Sequence, residues 1–186
     1  RPTPGAPRRG SRGSDAALVG DLLDDLPADP SVLDVGCGDG ARTLANLPAG
    51  SVGLDVSRRG LDLARETVPA AALVQGEMSA LPFAPERFDG VTAYHAVFHV
   101  ARERHPTVYG EFARVLRPGG RLLMTLPGGR FETVRRGWMG GSMFFSGPGR
   151  QATLDQLRDA GFEEVWTEMA DDPLGTSTEF AFARRG

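Results

Sequence analysis

A doubly wound α/β domain with a mostly parallel sheet is predicted by three observations. Short apolar runs alternate with helical patterns from residue 14 onward. The first run leads straight into a glycine turn, VLDVGCGDG, at residues 32–40. The last two runs are separated by too little chain for a crossover helix, so they must pair antiparallel.

The elements follow in order. Ser14 can cap a helix whose apolar side holds Ala17, Leu18, Leu22 and Leu23, and Pro27 and Pro30 end it. Residues 32–35 form the first strand, followed by the glycine turn and a helix near 41–47. Residues 51–55 form the second strand, and Ser57 caps a helix to about residue 67. Residues 72–75 are the third strand and 88–94 the fourth, anchored by Phe88 and Val91. A helix over about 103–116 stops at Pro118-Gly119-Gly120, and residues 121–126 are the fifth strand. A helix over 153–160 ends at Gly161, before strands at 162–168 and 177–183. Residues 127–150 read as a long loop that nevertheless holds Phe131, Trp138, Met143, Phe144 and Phe145. Such a loop is usually functional or packs on itself.

The chain of 186 residues suits a single domain over residues 14–186, with a core large enough to need no staples. Residues 1–13, RPTPGAPRRGSRG, have no large apolar side chain and read as a disordered basic tail; the alternative is an arm that folds over a ligand. The chain begins at Arg1 rather than methionine, which predicts trimming or processing. No segment reaches the ~20 apolar residues of a membrane span, and no secretion signal opens the chain. Cys37 is the single cysteine, which excludes an internal disulfide and a cysteine-rich zinc site; a cytoplasmic location is expected. The net charge of −3 gives no overall pull toward nucleic acid. Lysine and isoleucine are absent, a pattern expected from GC-rich codon usage.

In a doubly wound sheet, ligands sit at the carboxyl ends of the strands. Glycine there lets a ligand approach the backbone. Residues 36–41 fit a loose dinucleotide fingerprint, and Asp55 at the end of the second strand can accept from both hydroxyls of a ribose. Those two features also suit a nicotinamide cofactor. Asp34 and Asp39 discriminate: a pyrophosphate disfavours carboxylates beside its turn, whereas a ligand with an amine or a sulfonium welcomes them.

At these residues the chain resembles the class I S-adenosylmethionine-dependent methyltransferases of small-molecule type. The carriers are VLDVGCGDG at 32–40, VGLDVS at 52–57, GEMSALPFAPERFDGV at 76–91 and RVLRPGGRLLMTLP at 114–127. The resemblance runs from about Ser31 to Arg185. It implies a Rossmann-like, seven-stranded sheet with the last strand antiparallel. It also implies S-adenosyl-L-methionine as cofactor, with S-adenosyl-L-homocysteine as product. The cofactor-binding residues it implies are Asp34, Gly36, Cys37, Gly38, Asp55, Val56, Glu77, Met78 and Tyr94. Glu77 would reach the adenine amino group, where the family more often has aspartate, and Met78 would pack on the ring. Cys37 also fits a small buried hydrophobe, and Asp34 either ties down the loop or touches the ligand's amine indirectly.

Methyl transfer is an in-line displacement that holds the acceptor atom at roughly 3–3.5 Å. By the same resemblance TAYHAVFHV at 92–100 faces the acceptor. Tyr94 lies beside the methionine part, and His95 is the first candidate for a base or orienting group. His99 follows one helical turn later and could share its face, or serve structure only. His105, before Pro106 in a polar stretch, is expected to be exposed. Residues 127–150 are then the acceptor lid. Arg130, Arg135 and Arg136 could bind an anion, and Trp138, Met143, Phe144 and Phe145 a planar or apolar group. The alternative is that the aromatics seal the core. Gly140-Gly141 would let this segment move.

A small-molecule acceptor is the leading expectation, handled by a monomer or homodimer with no membrane partner. With so little chain before Ser14, the pocket is open, covered by 127–150, or completed by a second subunit. A nucleic-acid methyltransferase would want a basic surface, and an Asn-Pro-Pro-Tyr-type signature is absent. A protein that binds the cofactor without methylating, or acts as a scaffold, is the alternative from another class. A nicotinamide-dependent reductase is disfavoured by the two aspartates and the antiparallel ending. No metal-ligand cluster is evident in the sequence.

Overall fold

The computed structural model describes residues 13–138, 141–171 and 177–186. Of the expected tail, residues 1–12 lie outside the described residues, and so does Gly140. Gly13 and Ser14 form a short strand, β1 (Gly13–Ser14), ahead of α1 (Asp15–Asp24). Ser14 caps α1 by accepting from the Ala17 N–H at 3.2 Å, satisfying one of the amides a helix start leaves open.

The chain then runs β2 (Val32–Val35), β3 (Val52–Asp55), α2 (Arg58–Thr67), β4 (Ala72–Gln75), β5 (Phe88–Ala93), α3 (His105–Val115) and β6 (Leu116–Thr125). It continues with β7 (Arg130–Trp138), β8 (Gly141–Pro148), α4 (Arg150–Asp159), β9 (Phe162–Asp171) and β10 (Ser177–Arg185). The large sheet has the order β1-β9-β10-β6-β5-β2-β3-β4. Seven of these strands make the predicted sheet, and the two-residue β1 adds an eighth at one edge. β10 runs antiparallel to both β6 and β9, while the pairings β6-β5, β5-β2, β2-β3 and β3-β4 are parallel. The sheet is thus mostly parallel with its last strand reversed.

The parallel strands at the centre are covered on both faces and are mostly apolar, with Asp34 and Thr92 buried among them. Val32, Leu33 and Val35 of β2 are buried, as are Phe88 and Val91 of β5. One face packs Val108, Tyr109, Phe112 and Val115 of α3 with Leu154 and Leu157 of α4. The other packs Leu18 and Leu22 of α1 with Tyr94, Leu123, Phe180 and Phe182.

Three expectations are corrected. The helix near 41–47 is a single 3-10 turn, Leu44–Asn46. Pro48 drives Leu47 into an extended conformation, and the Asn46 side chain bonds the Arg42 carbonyl, so a longer helix cannot form. The long loop 127–150 is largely a β-hairpin, β7 paired antiparallel with β8, its residues bonding to each other and not to the main sheet. His105 is fully buried, not exposed. Pro106 starts α3 in its first turn, and the His105 ring folds inward. Its Nε2–H donates to the Val100 carbonyl at 2.9 Å, and its Nδ1 receives the Tyr109 hydroxyl at 3.5 Å.

Candidate active site

The carboxyl ends of β2, β3 and β5 meet at the glycine turn. Gly36 has φ +74, and a Cβ there would lie 2.5 Å from the Cβ of Ala96. Only glycine fits, because the segment after β5 packs directly on the turn. Gly38 also has positive φ, +55, but a Cβ there would meet nothing within 4 Å. The turn therefore presents bare backbone to open space.

Asp55 holds this turn. Its Oδ2 accepts from the Gly38 N–H at 2.8 Å and its Oδ1 from the Ser57 N–H at 2.8 Å. A carboxylate has about four lone-pair sites, so each oxygen keeps one for a ligand. Val56 beside it is 65% exposed, an apolar side chain open to a flat ligand. The Gly76 N–H donates to the Asp55 carbonyl at 3.1 Å, which hangs the turn bearing Glu77 and Met78 next to the site. The Met78 methyl lies 3.8 Å from the position of a Gly36 Cβ. Glu77 is exposed, with an Oε2 oxygen 3.9 Å from Arg104. Glu111 and Arg114 clamp the following residues: Glu111 accepts from the Leu81 N–H, and Arg114 donates to the carbonyls of Leu81 and Phe83.

Asp34 is buried behind the turn. Thr92, its register partner on β5, donates its hydroxyl to Asp34 Oδ1 at 2.7 Å. Asp34 Oδ2 is buried without a well-formed hydrogen bond. Burial pushes the Asp34 pKa up to about 7; Thr92 and the Leu44 backbone oppose this, and the Asp55 charge adds to it. Burial, reinforced by Asp34 and Asp55, likewise pushes the Cys37 thiol up to about 12. Cys37 is therefore a thiol and not a nucleophile at neutral pH. Asp39 is exposed and accepts from the Ala41 N–H at 3.1 Å.

On the side expected to face the acceptor, the segment after β5 is not a continuous helix. His95 has φ +50 and donates its N–H to the Thr125 hydroxyl oxygen at 2.9 Å; only residues Val97–His99 form a 3-10 turn. The shared helical face expected for His95 and His99 is therefore absent. Both rings instead flank Phe98, at 6.0 Å and 4.8 Å between centroids. Tyr94 is buried, its ring 4.7 Å from that of Phe180 on the α1 face of the sheet. His99 Nδ1 lies 2.9 Å from the Phe144 carbonyl, so Nδ1 carries the proton and donates it.

The hairpin β7–β8 docks onto this turn. Ser146, fully buried, accepts the Arg102 N–H at 3.0 Å, and Arg102 pairs with Glu132 at 3.5 Å. Phe145 stacks on Phe98 at 5.7 Å. A cavity of about 330 Å³ lies here, lined by Phe98, Phe131, Thr133, Arg135 and Phe145. Of the predicted substrate residues, Phe145 lines it. Met143 and Phe144 are half-buried on β8, while Arg130 and Trp138 stand at the two ends of β7. Sequence reasoning missed Thr92, Thr125, Phe98 and Thr133. Each acts through strand register or tertiary packing, which no local motif announces.

The site fits a cationic nucleoside: a ribose-accepting Asp55, apolar Val56 and Met78 beside it, and an under-bonded carboxylate at Asp34 near backbone-lined space. With the strand order above, these features resemble those of class I S-adenosylmethionine-dependent methyltransferase domains. Comparison with known proteins agrees. Residues 33–124 match the family described as "Methyltransferase domain". The biotin biosynthesis bifunctional protein BioHC of Cellvibrio japonicus is 38% identical over 133 residues, covering 68% of this chain and 26% of that protein. A SAM-dependent methyltransferase from Methanosarcina mazei shares the fold with a TM-score of 0.75 at 19% identity, covering 89% of this chain and 96% of that one. The SAM-bound amino pentose methyltransferase CalS10 of Micromonospora echinaspora shares it with a TM-score of 0.71 at 22% identity, covering 96% and 93%. The chain spans 26–38% of the length of the first curated relatives it matches. Among the described residues, no helix is long and apolar enough to cross a membrane.

Proposed function

We propose that this protein transfers a methyl group from S-adenosylmethionine to a small-molecule acceptor. Bound at the glycine turn, the cofactor would supply an electrophilic methyl on a sulfonium. In this reading the Gly36–Gly38 backbone lies along the cofactor, and Asp55 accepts from the ribose hydroxyls with its remaining lone pairs. Val56 and Met78 flank the adenine, and Glu77 meets its amino group. Asp34 takes charge opposite the cationic end. His95 orients the acceptor or removes its proton as the new bond forms. Residues 127–150 wall the acceptor pocket of a domain spanning 14–186. We place the reaction in the cytoplasm, in a monomer or homodimer.

The observation that carries the reading is the contact between Gly36 and Ala96. It sets His95 and the 97–99 turn directly beside the backbone where a cofactor would lie. The test is release of S-adenosylhomocysteine from S-adenosylmethionine across a panel of small-molecule acceptors, repeated with His95→Ala. The expected result is turnover on a subset of acceptors, with kcat reduced about 10²-fold or more in the variant and cofactor affinity unchanged. Cofactor binding without turnover on any acceptor would favour the non-methylating or scaffolding reading. Turnover on RNA or DNA alone would favour a nucleic-acid substrate.

A further inference from the structure

The cavity under the hairpin is lined by Arg135 and Phe145, and a chain of ring contacts runs from its Phe98 wall to His95. The Arg135 guanidinium carbon lies 5.1 Å from the Phe145 ring centroid. Phe145 stacks on Phe98 at 5.7 Å with the rings 22° from parallel, and Phe98 is 6.0 Å from His95. A column of guanidinium, ring and ring therefore ends at the imidazole beside the glycine turn. The hairpin register sets Thr133 opposite Phe145 and Arg135 opposite Met143. Alternation then puts Phe131, Thr133 and Arg135 on one face.

The charge of the hairpin is lopsided. It carries Arg130, Arg135 and Arg136 against one acidic residue, Glu132, which pairs with Arg102. An anion entering the cavity meets the Arg135 guanidinium. Near-parallel phenylalanine rings favour a flat, unsaturated body over a flexible chain, because stacking adds to area burial and little rotamer freedom is lost. A cavity of about 330 Å³ has room for a molecule of one or two rings.

We propose that the acceptor is a flat, unsaturated small molecule with an anionic group at the end remote from the methylated atom. Its body lies along Phe98, Phe131 and Phe145, its anion at Arg135 and its reacting end at His95. This rests on reading the hairpin as the acceptor wall. Arg135 is thereby a specificity-determining residue.

The test is calorimetric binding of cinnamate, its neutral isostere cinnamamide, and octanoate to protein saturated with S-adenosylhomocysteine. Wild type should bind cinnamate about tenfold more tightly than cinnamamide, and more tightly than octanoate. The preference for the anion should vanish in Arg135→Gln and persist in part in Arg135→Lys. Arg135 is exposed, so these variants should keep their thermal midpoint and their affinity for S-adenosylhomocysteine. Equal binding of cinnamate and cinnamamide by wild type would overturn the inference, as would an undiminished preference in Arg135→Gln. In either case, retained affinity for S-adenosylhomocysteine leaves the methyltransferase reading standing. Failure of the wild type to bind S-adenosylhomocysteine would overturn that reading and this inference together.

Discussion

The Thr92 hydroxyl donates to Asp34 Oδ1 at 2.7 Å, while the second Asp34 oxygen is buried without a well-formed hydrogen bond. The pair joins the two central strands behind the glycine turn. Burial raises the Asp34 pKa from 3.8 to about 7. Between those values the folded protein holds a proton that the unfolded chain has lost. The Asp34 contribution to stability therefore falls as pH rises from about 4 to 7, and levels off above. Asp34→Asn should gain thermal midpoint relative to wild type at pH 8 and show little difference at pH 4. A cation bound nearby favours the carboxylate, so cofactor binding near pH 6–7 should release a proton. The measured enthalpy should then vary with the ionisation enthalpy of the buffer.

His105 imposes the opposite slope. Burial holds its pKa below the ordinary 6.5, against raising contributions from the Val100 and Val97 backbone and from Glu103. In the window just below 6.5 the unfolded chain binds the proton and the folded protein does not. Stability from this group is full above 6.5 and is lost as pH falls. His105→Ala should cost about 2–4 kcal/mol at pH 7.5 by opening a cavity and stranding the Val100 carbonyl. It should also flatten the acid limb of the midpoint-against-pH curve.

The two glycines of the turn should behave differently. Gly36→Ala drives a Cβ to 2.5 Å from Ala96, so it should destabilise the fold by about 1–3 kcal/mol in denaturant titration. Gly38→Ala meets no neighbour and costs only its left-handed conformation, about 1 kcal/mol. Its methyl group occupies the space assigned to the cofactor, so it should bind S-adenosylhomocysteine at least about tenfold more weakly while remaining folded.

Ser146 latches the hairpin to the turn that follows β5. Ser146→Ala leaves the part-buried Arg102 N–H without its partner, a cost of about 1 kcal/mol. Amide hydrogen exchange across residues 130–148 should quicken, and the acceptor KM should rise. Affinity for S-adenosylhomocysteine should not change.

The sequence made the sheet legible because its parallel strands are covered on both faces and read as short, mainly apolar runs, as in Val32–Val35. The reversed final strand followed from chain length alone. The glycine turn and Asp55 were legible because their chemistry is local. The hairpin was not, since glycines at both ends break its alternation and its strands pair only with each other. His105 stood in a polar stretch whose sequence gave no sign that the ring turns inward onto Val100. Thr92 was silent for a different reason. Its importance comes from its register opposite Asp34, which only the assembled sheet creates. The positive φ of His95 likewise breaks the helical spacing that His95 and His99 have in the sequence.

The most direct test of the account is calorimetric titration of wild type and Asp55→Ala with S-adenosylhomocysteine, with thermal unfolding as a check that the variant folds. The account predicts saturable binding to wild type and at least about tenfold weaker binding to the folded variant. Absence of binding to wild type, or unchanged affinity in the folded variant, would contradict it.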